Sequence, residues 1–121
     1  NSSVATLRCQ VQTISSLSDK RDKTDIIDLP IGLDFVNKLK PVKFKWDIRN
    51  VNAENPHQGT VRAGFIAQDF KSLQENENAT FMDLTHEINP DKLEAKQGNL
   101  IPVLVKAIQE LSVKVTALEA G

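Results

Sequence analysis

Residues 100–120 read LIPVLVKAIQELSVKVTALEA, and this stretch decides the shape of the whole. Its apolar residues Ile101, Leu104, Ile108, Leu111, Val115 and Leu118 are spaced three, four, three, four, three. That is the a/d pattern of a heptad repeat, unbroken over about two and a half heptads, and it predicts one long amphipathic helix. Asn99 is a suitable N-cap, and Pro102 falls in the first turn, where no backbone donor is lost. Leu100, Val105 and Ala107 widen the apolar stripe in the first half only. The helix over 99–120 is therefore expected to leave a domain core and continue as a narrow, self-associating seam. Ile and Val at a with Leu at d would alone favour two strands, so other contacts must set the oligomer number.

Upstream of the helix the pattern changes to short elements. In VKFKWDI, Val42, Phe44, Trp46 and Ile48 point one way while Lys43, Lys45 and Asp47 point the other, which predicts a strand. RNVNAENPHQG then reads as a turn or long hairpin tip. TVRAGFIA reads as the returning strand, running into a short helix through AQDFKSL. QENENAT is a polar loop, and FMDLTHEI a further short strand. Before the hairpin, Ile31, Phe35 and Leu39 share one face at four-residue spacing with Val36 beside them, predicting a short helix that Pro30 opens. Near the N-terminus Leu7, Cys9 and Val11 alternate with Arg8, Gln10 and Gln12, the signature of a half-buried strand ending near Ile14. The sum is an α+β fold: a small mixed strand and helix domain with a long C-terminal helix.

Composition bounds the function classes. At 121 residues the chain makes one domain with a modest core, and 5% aromatic content with no Tyr makes that core mainly aliphatic. A net charge of −1 with scattered Lys and Arg gives no footprint for nucleic acid or for an anionic membrane. No apolar run reaches the length of a membrane span, and no signal peptide is recognisable. Cys9 has no second cysteine to pair with and suits a reducing compartment. A start at Asn1 rather than Met reads as a piece of a longer protein. His57 and His86 stand apart and read as solvated side chains, so no metal site is expected.

The polar stretch SLSDKRDKTD, residues 16–25, carries the chemistry. Lysine can act as general base for serine when burial or a neighbouring cation lowers its pKa toward neutral. Five residues are enough for a tight bend to bring Ser18 and Lys23 together. Taken alone the pair is weak evidence, since Ser-Asp is common at turns and caps and lysine is abundant.

Four blocks in order strengthen it: SDKRDK, KLKPVKFKW, AGFIAQDF and the helix quoted above. Together they resemble the endosialidase-type intramolecular chaperone, a self-cleaving domain at the C-terminus of phage tail spikes, tail fibres and neck appendages. The resemblance runs from about Ser18 to Ala120. It implies an intertwined homotrimer in which residues 18–121 form the chaperone and autoprotease domain. Residues 1–17 would be the β end of the upstream stalk, and 99–120 the trimerising helix. Carried over by motif, Ser18 is the nucleophile and Lys23 its base. The scissile bond is Ser18–Asp19, and Arg21 orients the loop or keeps Lys23 unprotonated.

The resemblance implies no cofactor and no partner besides two further copies and the stalk of the same polypeptide. It places folding in a bacterial host cytoplasm, as the precursor of a virion tail or appendage. In one respect the sequence departs from the family pattern. Asp22 stands where an apolar residue is usual, and a carboxylate beside Lys23 favours the charged amine, unless an extended backbone turns the two side chains to opposite faces. The competing reading is a permanent, non-cleaving trimerisation domain of a structural or adhesin protein. A release domain of a membrane-tethered transcription factor and a hydrolase acting on other molecules find less support in the residues.

Overall fold

The computed structural model describes residues 8–49 and 57–121. Helix α1, Leu33–Val36, precedes the antiparallel strands β1, Val42–Lys45, and β2, Val61–Gly64. Helix α2, Ala67–Asn76, follows, then the two-residue strands β3, Thr85–His86, and β4, Glu94–Ala95, and finally helix α3, Ile101–Ala120. The α+β reading with a long C-terminal helix therefore holds. No helix among the described residues is long and apolar enough to cross a membrane.

The hairpin follows the alternation that predicted it. Val42 pairs with Gly64 and Lys45 with Val61; Val42 and Phe44 turn their side chains inward while Lys43 and Lys45 face out. Past the strand, Trp46 N–H donates to Thr60 O and Gly59 N–H to Trp46 O, both at 2.8 Å. Gly59 has φ +81°, the left-handed backbone that lets the chain turn there. Most of the expected hairpin tip, residues 50–56, lies outside the described residues.

The core gathers Phe35, Phe70, Ala79, Met82, Leu84, Leu100 and Val103, with Leu29, Ile31, Val36, Leu39, Phe65 and Leu73 around them. Phe65 and Phe70 stack with centroids 4.9 Å apart. Gln74, buried on α2, accepts from Leu84 N–H at 2.9 Å, which satisfies a donor the core would otherwise strand. The helix of residues 31–39 is shorter than its periodicity suggests. Pro30 does not open it; α1 begins at Leu33, and only its single turn is α-helical. The FMDLTHEI strand is likewise reduced, to a 3-10 turn at Thr80–Met82 and the two residues of β3.

Helix α3 departs from the expectation in two ways. Asn99 is not its cap: the Asn99 side chain donates to Asp83 O at 2.7 Å instead, and Leu100 precedes the helix without a side-chain cap. The face turned to the core is Leu100, Val103 and Ala107, whereas Val105 is exposed. Val105 sits two residues beyond Val103, about 200° round the helix, and therefore cannot share its face. The a/d residues Ile101, Leu104, Ile108, Leu111, Val115 and Leu118 are 39–81% exposed in the single chain. They lie about 100° from the buried stripe, so the helix has two apolar faces and the domain covers one. Beyond Glu110 every residue is exposed, and α3 projects from the domain.

The half-buried strand expected over residues 7–14 is not present: residues 8–17 form no strand and are exposed throughout, while Leu7 lies outside the described residues. Alternation alone does not make a strand. Its backbone groups need a neighbouring strand, and none of the described residues supplies one.

Candidate functional site

Ser18 and Lys23 flank a single 3-10 turn, Lys20–Asp22. The turn closes through Asp22 N–H to Asp19 O and Lys23 N–H to Lys20 O, each 3.1 Å. Asp19 caps it: its Oδ1 accepts from Arg21 N–H at 2.8 Å, satisfying a donor at the turn's start. The same carboxylate takes the Arg21 guanidinium side-on, Nε at 3.1 Å and Nη2 at 2.8 Å. This fork geometry is why arginine rather than lysine suits that position.

Lys23 leaves the turn with extended φ and ψ of −125° and 148°. Its side chain then reaches back, and Nζ donates to Ser18 Oγ at 2.6 Å. The expected pair is thus assembled by a local turn five residues across. At this separation a neutral amine would accept the serine proton instead of donating, the arrangement a general base requires. Two residues on, Asp25 has φ +52°, a left-handed conformation that Asp tolerates better than most, and the chain bends away there.

The electrostatics centre on Asp19 and Arg21. The Arg21 side chain, and then its backbone N–H, hold the Asp19 carboxyl below its ordinary range. The Asp19 carboxylate in turn raises the Arg21 guanidinium above its usual value. Asp22 makes no ion pair with Lys23 or any other side chain among the described residues. All of residues 18–23 are exposed in the single chain, and the pair lies open to water.

A model of the Peptidase_S74 family, described as "Chaperone of endosialidase", matches residues 18–78, half of the chain. This chain belongs to that family. The match starts on Ser18 itself and takes in the turn, α1, the hairpin and α2, ending before the β3–β4 pair and α3. Membership implies a self-cleaving peptidase domain of the chaperone type. No curated protein and no solved structure matches the chain.

The other features lie elsewhere. The six seam residues are on α3, exposed, and none contributes to the Ser18–Lys23 turn. A groove of about 610 Å³ between the hairpin and β4, lined by Phe44, Trp46, Arg62 and Gln97 among others, contains neither Ser18 nor Lys23. Among the described residues no cluster of three or more His, Cys, Asp or Glu side chains could hold a metal ion. Asp19 is the residue whose role the sequence reading understated, as it entered only as one side of the scissile bond. The signal was present, since an Asp two residues before an Arg at the head of a polar turn is a capping arrangement.

Proposed function

We propose that this domain is a C-terminal intramolecular chaperone that trimerises, folds the stalk of a phage tail fibre, spike or appendage, and then releases itself by cutting Ser18–Asp19. The observation that supports the cut is the 2.6 Å approach of Lys23 Nζ to Ser18 Oγ at the first residue of the family match. Overall the reaction consumes one water: the Ser18–Asp19 amide becomes a Ser18 carboxylate and an Asp19 amine. Lys23 takes the proton from the attacking hydroxyl and returns it to the leaving amine. Ser18 Oγ attacks its own carbonyl only through a strained four-membered ring. The hydroxyl that attacks is therefore that of a water activated by the pair, or Ser18 of a neighbouring chain, whose ester the one water then hydrolyses to free that serine and leave the Ser18 carboxylate. Nucleophile and target being held together, positioning supplies several kcal/mol of the barrier, up to about 7–11 in well-oriented cases.

Trimerisation supplies what the single chain lacks. Lysine serves as a base when it is desolvated, and residues 18–23 are open to water here. Three copies joined along the a/d face of α3 would bring the stalk ends together and cover the turn, so that cutting follows assembly. A long intertwined stalk folds slowly through non-local contacts, and an early trimer of compact domains keeps its strands in register. Shedding the domain removes the route back, and the stalk is then kinetically trapped. Cutting should therefore track the trimer: diluted until monomeric, the chain should stop cutting and resume on reconcentration. A monomer that cuts at the trimer's rate would contradict the proposal.

A further inference from the structure

Ser18 and Lys23 stay within reach of one another although both are exposed and neither touches the core. Two backbone hydrogen bonds close their turn, and the Asp19 carboxylate clasps it from the side. The carboxylate receives three hydrogen bonds from Arg21: the backbone N–H at 2.8 Å, Nε at 3.1 Å and Nη2 at 2.8 Å. These close a ring over the turn whose two ends carry the pair. The guanidinium is spent on that carboxylate, and no contact joins it to Lys23. A cation already matched by a carboxylate at 2.8 Å lends little net positive potential to its surroundings.

We infer that Arg21 is a positioning residue acting through Asp19, rather than the cation that keeps Lys23 unprotonated, and that the leaving side of the scissile bond must be a capping carboxylate. The inference rests on the proposed Ser18–Asp19 cut and adds a requirement to it. Before the cut, Asp19 belongs at once to the substrate bond and to the clasp that aligns the pair. The substrate thus carries its own alignment device.

The two possible roles of Arg21 leave different marks on the pH dependence of cutting. A cation that depressed the Lys23 pKa would, on removal, shift the midpoint of the rate profile upward and leave its high-pH plateau unchanged. A positioning residue would, on removal, lower the plateau and leave the midpoint in place. The test measures the first-order cleavage rate of the 121-residue chain by intact mass over a pH series, with oligomer mass and helix content recorded beside it. For Arg21→Ala we expect the same midpoint and a plateau lower by about two- to fivefold, the scale of an exposed ion pair. Asp19→Ala, losing cap and clasp together, should fall further, by roughly fivefold or more. Asp19→Asn, which retains an acceptor for the Arg21 backbone N–H, should lie between Asp19→Ala and the parent. An upward shift of the midpoint in Arg21→Ala would overturn the inference, as would an Asp19→Ala chain that cuts at the parental rate. A parent that never cuts would contradict the proposed function and the clasp with it; a parent that cuts beside equally fast variants would contradict the clasp alone.

Discussion

Glu110 Oε1 accepts a hydrogen bond from the backbone N–H of Leu33 at 2.6 Å, joining residues 77 apart in the sequence. Through it α3 supplies the cap that α1 lacks, since Gly32 has no side chain to give. Gly32 must stay bare for this to happen, because a Cβ there would lie 2.0 Å from the same oxygen. The contact also marks where α3 stops being domain and starts being projection, the last buried residue of the helix being Ala107.

Glu110→Ala should therefore loosen α1 from α3 and lower the unfolding free energy by about 1 kcal/mol, the usual worth of a helix cap. Glu110→Gln, which keeps the acceptor oxygen, should lose much less. Gly32→Ala should behave like Glu110→Ala by pushing the carboxylate aside, and combining the two should cost little more than either alone. Urea unfolding of the parent and the four variants at one protein concentration checks this.

In the core the weight falls on Leu84, which is fully buried in one cluster with Phe35, Phe70 and Val103. Leu84→Ala should cost about 2–5 kcal/mol, by lost transfer free energy and the cavity left behind. Urea unfolding should show a lower midpoint with an unchanged slope.

The seam behaves differently. Ile108 and Leu111 are 67% and 48% exposed in the single chain, so Ile108→Asp or Leu111→Lys should leave its fold intact. In the proposed trimer the same changes would bury a charge against two neighbouring helices. Sedimentation should then give a monomer of 13.4 kDa with native helix content, and cutting should cease. An Ile108→Asp chain that remained trimeric would show that other surfaces hold the copies together.

A modest acid sensitivity follows from Glu87. The Thr85 hydroxyl first, and then Lys71, hold its carboxyl below the ordinary value of 4.5. A carboxyl lowered on folding stabilises the protein above the unfolded value and loses that contribution as pH falls through the folded one. Stability should therefore dip on acidification below about pH 4.5. Glu87→Gln should flatten the part of the dip that belongs to this residue, and urea midpoints from pH 7 down to 3 measure it.

How much of this was legible in the sequence depends on whether an element carries its own cause. The hairpin does: Lys43 and Lys45 alternate with Val42 and Phe44, and the turn residues sit between the strands. So does α3, whose 20 residues repeat the heptad almost to the end. The approach of Ser18 and Lys23 was legible because a tight bend of five residues acts locally, whereas the Asp19 clasp on that bend was not. Nor were long-range partners. No local rule says that Glu110 will cap Leu33, that Asn99 will turn to Asp83, or that β4 will pair Glu94 with His86. Val103 was missed for a related reason. The heptad spacing describes the face open to another helix, while the domain claims the stripe offset by one residue. The alternation around Cys9 describes a strand only if some neighbour supplies the ladder.

The most direct test of the self-cutting account is the intact mass of the 121-residue chain after assembly, beside Ser18→Ala and Lys23→Ala. The account predicts two pieces from the parent, ending at Ser18 and beginning at Asp19, and one uncut chain from each variant at unchanged oligomer mass. A trimeric parent that stays whole, or a Lys23→Ala chain that still divides at Ser18–Asp19 at the parental rate, would contradict it.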